Sequence, residues 1–438
     1  MPTSDVPTEA ECSREEFLVS LRERLSPILA LSGFVKDGAR RNLSRRVYSL
    51  LAEEARALES HLDEHGAWSN SSFVGLVELV ATVRGAAIVG FTLKHILERL
   101  QREEDGSPEG ALRRDFEEAT IETRGFVDGS LSRLMEEIRA TAESLYGDDL
   151  PDVTGGVLSP VSQEIKQRLP ADLMPFTPTD RKRNVVAIAA RFLVHKKSLE
   201  NQSSQRVFDD TEEMRRYVIE VCNEEECRFF ETRIQNLLAR YESCIKGSAL
   251  ESEDRDLQRI SAYMGFVRQL SRVLTELVHF YERHETGIRG EALTSRVLDL
   301  MDRDVVLDRA LNYALYYIHE FMNGAEPHVQ NVLDRYTRHE SLTLTIPDGL
   351  QLHIRPVSLI AKIVEHHKTP VNVIVGDTSC YAGSIVQVLM AIGAQPDARS
   401  VTFEGDQKAL RHIALLFEHG LGEDGHEHLP EELAYLRG

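Results

Sequence analysis

The sequence predicts a multidomain, mostly α-helical protein: helical bundles followed by a C-terminal α+β open-faced sandwich of order β-α-β-β-α-β-α. Three features predict it. Residues 13–338 carry almost no strand patterning, and their apolar positions recur in steps of three and four, the spacing of one helix face. After residue 339 the apolar period alternates between two and the helical value. Between them, Gly155, Gly156, Pro160, Pro170, Pro175 and Pro178 break the helical part in two, since neither residue type sustains a helix. The expected division is a helical bundle over 1–148, a linker over 149–179, a second helical domain over 180–338, the α+β domain over 339–421 and a flexible tail over 422–438.

In the first bundle, Phe17, Leu21, Leu25 and Ile28 mark a helix that Pro27 interrupts, and Leu43, Val47, Leu51, Ala55, Leu58 and Leu62 mark a second. A third spans roughly 72–102 and a fourth 109–146. The third contains the most apolar run, 73–93, but Glu78, Arg84 and three glycines inside it describe a buried helix rather than a membrane span. In the second domain the spacing predicts helices near 180–200, 209–246, 254–285 and 288–322. Leu257, Ile260, Met264, Val267, Leu270, Leu274, Leu277 and Tyr281 form a stripe that suits either an intrachain bundle or a homodimer seam.

The α+β domain opens with Leu342, Leu344 and Ile346 on one strand face. A helix follows Pro356 through Val357, Ile360, Ile363 and Val364. Strands are predicted over 371–375, around 379–382 and over 400–403, the last turned by Glu404-Gly405-Asp406. Ser384 opens a helix through Val388 and Ile392, and Leu410, Ile413, Leu416 and Phe417 mark the final one, stopping at Gly420. The run Leu352-His353-Ile354-Arg355-Pro356 therefore sets an imidazole at a helix N-terminus. Unpaired N–H groups there, and a guanidinium two residues on, suit a phosphoryl group carried on that ring.

This run, the stretch Gly383-Ser384-Ile385 to Ile392-Gly393, and Gln407-Lys408-Ala409 opening the last helix resemble the histidine-containing phosphocarrier HPr of the bacterial phosphotransferase system, over residues 341 to 421. The resemblance implies that His353 is the phosphoryl acceptor, loaded at Nδ1, and Arg355 its charge partner. It also implies that Ser384 matches the serine modified by a kinase in some bacteria. The implied partners are enzyme I or another phosphohistidine protein, a protein acceptor, and HPr kinase; no cofactor is implied. Where the family has Gly-Leu-His, this chain has Gly349-Leu350-Gln351-Leu352-His353, two residues longer. A fainter likeness lies in the first bundle: Ala81-Thr82-Val83-Arg84-Gly85-Ala86-Ala87 is similar to the signature of histidine phosphotransfer (Hpt) domains, with alanine at the histidine position, so that such a module over 13–147 docks a partner without carrying phosphate.

A formal net charge of -20 argues against nucleic acid or anionic membrane as partner. The polar first residues show no apolar leader, and cysteines at 12, 222, 227, 244 and 380 lack a disulfide pattern, so a cytoplasmic protein with reduced thiols is expected. Cys222 and Cys227 fall on different faces of a charged helix. No Walker-type phosphate loop occurs. Glu276-x-x-His279, Glu423 with His426, the His366-His367 pair and His426 with His428 leave any metal site incomplete. The expected function is a phosphocarrier or regulator, a substrate of its partner enzymes rather than a turnover enzyme; the alternative is a non-catalytic scaffold that docks through the same domain.

Overall fold

The computed structural model describes residues 12–41, 43–102, 108, 110–150, 178–203, 205–285, 291–337, 339–347, 349–396, 398–423 and 429–437. The chain is mostly helical, with one four-stranded antiparallel sheet near the C-terminus. Apart from its ends, the expected 149–179 linker lies outside the described residues.

Four long helices come first: α1 (Arg14–Arg41), α2 (Arg45–Glu64), α3 (Val74–Gln101) and α4 (Gly110–Tyr146). Ser13 starts α1 by a reciprocal cap: its hydroxyl accepts from the Glu16 N–H, and the Glu16 carboxylate accepts from the Ser13 N–H. The interruption expected at Pro27 does not occur. Leu21, Leu25, Ile28 and Leu29 are buried on both sides of the proline, and their packing keeps the turns in line despite the missing N–H. Each helix packs on the next and α4 returns to α1, closing a four-helix bundle. α3 is long and apolar enough, by composition, to cross a bilayer, yet 72% of its most apolar window is buried within the protein. Its small residues admit close neighbours. A Cβ at Gly90 would stand 2.3 Å from Cε1 of Tyr48, whose hydroxyl donates to the buried carboxylate of Asp128 on α4.

The remaining helices are α5 (Pro178–Gln202), α6 (Thr211–Glu220), α7 (Glu224–Cys244), α8 (Ala249–Glu253), α9 (Arg255–Glu285), α10 (Glu291–Leu300), α11 (Arg303–Asp308) and α12 (Tyr316–Tyr336). The single helix expected over 209–246 is two, because the Asn223 side-chain Oδ1 accepts the Glu226 N–H at 3.0 Å and starts α7 afresh. The one expected over 288–322 is broken at 301–302, where Asp302 accepts from the N–H groups of Asp304 and Val305. It then continues through a wide turn over 309–315, past residue 322 and through Pro327 to Tyr336. The α9 stripe from Leu257 to Tyr281 is buried within this chain.

The chain separates into two compact units, each drawn from discontinuous stretches, whereas the sequence divides it in order along its length. One comprises Met1–Leu169, Glu200–Gln235 and Ala262–Met322; the other comprises Pro170–Leu199, Asn236–Ser261 and Asn323–Gly438. In the first, Phe116 of α4 packs against Phe266, Tyr313, Tyr317 and Phe321. In the second, the buried Tyr241 hydroxyl donates to the Leu257 carbonyl at 2.9 Å.

The second unit contains the sheet. Its elements are β1 (His339–Thr345), α13 (Ile354–His367), β2 (Val371–Val375), β3 (Thr378–Tyr381), α14 (Ile385–Ala394), β4 (Ser400–Asp406) and α15 (Gln407–Glu418), with strand order β1-β4-β2-β3. Val371, Val373 and Val375 of β2 and Val401 and Phe403 of β4 form one core with Val357, Ile360 and Ile363 of α13, Val388 of α14 and Ile413 of α15. On the opposite face Thr343 and Thr402 pair across strands. Residues 404–406, expected as a turn, belong to β4 instead. Gly405 pairs with Val371, and a Cβ on it would meet the Pro370 carbonyl at 2.7 Å, so glycine here serves backbone approach. The expected flexible tail also differs: Glu431–Arg437 forms tight helical turns, with Leu429, Leu433 and Leu436 buried in the same core.

Substituting Gly90→Ala should destabilise the first unit by about 1–3 kcal/mol, because the Tyr48 ring must move and its bond to Asp128 with it. Urea unfolding of the variant against the parent protein measures this.

Candidate functional site

His353 is the residue immediately before α13. Its backbone is extended, and its Nδ1 accepts the Arg355 N–H at 3.4 Å, so the imidazole itself caps the helix. That distance marks a long, weak hydrogen bond. The ring is half-exposed, and its Nε2 lies 3.0 Å from Oε1 of Glu423. Two core residues hold this position. Leu352 is buried on one side and Pro356 on the other, and Pro356 falls in the first turn, where no N–H partner is lost. The turn before it is made upstream. Gly349 adopts φ +81 and the Leu350 N–H bonds the Pro347 carbonyl at 3.0 Å, which leaves His353 at the helix entrance.

Arg355 is half-buried, and its guanidinium forms no ion pair among the described residues. Ser384 caps α14, its hydroxyl accepting the Gln387 N–H at 3.4 Å; Gly383 before it lies against the Tyr381 ring. Three large apolar side chains near these caps face solvent: Ile354 is 66%, Val386 67% and Met390 71% exposed.

In the sequence Glu423 stands out only by its spacing from His426, which lies outside the described residues, as does His428. Beyond Glu423, Tyr435 stacks on His366 with ring centroids 3.6 Å apart, and its hydroxyl contacts Nδ1 of His412 at 2.9 Å. His367 Nε2 contacts the same His412 nitrogen at 3.0 Å. The signal for this docking was present: Leu429, Leu433 and Leu436 recur at steps of four and three, with Pro430 in the first turn.

The segment 81–87 of α3 faces largely inward. Ala81, Thr82, Val83, Ala86 and Ala87 are buried, and Ala81 lines a cavity of about 20 Å³ together with Gly85, Glu276, His279 and His284. That volume admits about one water molecule. The Glu276 carboxyl is pushed up by burial, opposed by Arg84 and His279, while His279 Nδ1 meets Glu224 at 2.7 Å. Among the described residues no cluster of histidine, cysteine and carboxylate groups suits a metal ion. Cys222 and Cys227 correct their expected separation: with Cys222 in the break before α7, both thiols are buried and their sulfurs lie 3.6 Å apart.

No family model, no curated protein and no solved structure matches the chain.

Burial, then the neighbouring His412 and His366, hold the His367 imidazole down at about 4, from an ordinary value of 6.5. Burial also lowers His366 and His412. An unfolded chain protonates these rings first, so their contribution is fully present above about pH 6.5 and is lost as pH falls toward about 4. Amide exchange of α15 should show protection rising with pH across that window and then levelling off. His367→Gln, which stays neutral, should make the dependence shallower.

Proposed function

We propose that the chain is a cytoplasmic phosphohistidine carrier or regulator of the HPr type, loaded at His353 and coupling phosphotransferase status to an output in its helical units. The observation that carries this reading is the imidazole cap of α13: a half-exposed ring whose Nδ1 already faces the N-terminal amides of a helix. The strand order β1-β4-β2-β3, with three helices sharing one core beneath it, supports an HPr-like architecture for residues 339–421.

In the proposed step a phosphohistidine donor such as enzyme I presents its phosphoryl group to Nδ1. The Nδ1 lone pair forms the new P–N bond as the donor's P–N bond breaks, and the donor ring leaves with that electron pair. The long bond from the Arg355 N–H yields, and the same amide turns to a phosphoryl oxygen. Partial positive charge at the helix terminus favours the anion by about 0.3–2 kcal/mol. The Arg355 guanidinium, without a competing carboxylate among the described residues, adds charge-assisted hydrogen bonds. Exchange between two imidazoles is nearly thermoneutral, so positioning governs the rate. The chain is then a phosphoryl acceptor and donor, not a turnover enzyme.

A second reading is favoured by the exposed Ile354, Val386 and Met390: a scaffold that docks a partner through this apolar face whether or not His353 is loaded. Incubation with enzyme I and labelled phosphoenolpyruvate separates the two. The carrier takes up acid-labile label, absent in His353→Ala and acquired roughly tenfold to a hundredfold more slowly in Arg355→Ala. A chain that stays unlabelled at every enzyme I concentration is the scaffold. Acid-stable label on Ser384 after treatment with HPr kinase would add regulation at the α14 cap.

A further inference from the structure

The turn that follows α15 is built at the expense of backbone comfort. Gly420, Leu421 and Gly422 all have positive φ, at +63, +55 and +73. Leucine rarely adopts that conformation. It is kept there because its side chain is fully buried in the domain core. Gly422 leaves no space for a side chain, since a Cβ on it would stand 2.7 Å from Leu359 of α13. The next residue is Glu423. Its backbone is therefore pinned to α13 on one side, and on the other the chain returns to the core through Leu429, Leu433 and Leu436.

The carboxylate so placed has one polar neighbour of interest. Oε1 of Glu423 is shut off from solvent and has no hydrogen-bond partner among the described residues, yet it stands within ion-pair distance of His353, 3.0 Å from Nε2. A carboxylate offers acceptors alone and repels a lone pair at that distance, so it favours the tautomer with the proton on the nearer ring nitrogen. The other nitrogen, Nδ1, then holds the lone pair, in agreement with its acceptance of the Arg355 N–H. We infer that Glu423 is a positioning residue for His353: it fixes the Nε2–H tautomer and the ring's direction, and makes the C-terminal turn part of the site.

This inference rests on the carrier reading for its consequence. When Nδ1 bonds phosphorus and the donor's P–N bond breaks, the His353 ring keeps its Nε2 proton and becomes positively charged. Glu423 faces that charge across the ring, as a preorganised group placed where charge develops. The arrangement parallels carboxylates that orient histidines in other sites, whose loss costs roughly tenfold to a hundredfold in activity.

Two readouts on the full chain test it. The first is the nitrogen NMR spectrum of His353, which reports the tautomer with no phosphoryl donor present. Parent protein and Glu423→Gln, which retains an acceptor, should show Nε2–H; Glu423→Ala should gain an Nδ1–H population. The second is labelling kinetics with enzyme I. Glu423→Ala should lower the maximal rate about tenfold with little change in KM, because contact with the donor is untouched, and Glu423→Gln should recover part of the loss. If Glu423→Ala leaves both the spectrum and the rate as in the parent, the inference is overturned. If the parent takes no label but the spectrum shifts in Glu423→Ala, the positioning role stands and the carrier reading is lost.

Discussion

An imidazole closing the first turn of α13 is the contact on which the C-terminal domain's arrangement converges. A side-chain cap is ordinarily made by a serine, threonine or asparagine, and contributes about 0.5–2 kcal/mol. Histidine does it here with a long bond at 3.4 Å, the same lone pair serving as cap and as proposed nucleophile. The ring does not hold itself there. Leu352 and Pro356 are buried on either side of the entrance, and the turn before them places its positive φ, +81, on Gly349, where it is tolerated.

The far end of the chain completes that corner. Sheet, α13 and α15 leave an apolar surface that Leu421, Leu429, Leu433 and Leu436 cover. Neutral, partly buried histidines surround Tyr435, and their reluctance to protonate is the electrostatic cost of that cover. Covering the core and aiming Glu423 are one structural event, since the residue that turns the chain toward the core also precedes the carboxylate.

The helical units show how small residues and buried charge are used for packing. Arg99 of α3 lies so close to Gly265 of α9 that a Cβ there would be overlapped, while its guanidinium sits 4.6 Å from the Phe266 ring. Glu78, buried in the same helix, is bonded by Arg283 at 3.1 Å. Burial of α3 on this scale accounts for its apolar composition.

The sequence by itself determined the elements whose signal is local. β2 over 371–375, the caps at His353 and Ser384, and the long helices of the bundle follow from period and end residues, because side chains a few positions apart decide them. Long-range packing decided the rest. Pro27 stays within α1 since buried leucines flank it, β4 runs through Gly405 because Pro370 and Val371 lie against it, and the break before α7 brings two cysteine sulfurs together. Glu423 is the clearest instance: it lies seventy positions from His353 along the chain, and its place beside that ring depends on a strained turn that only a finished core can hold.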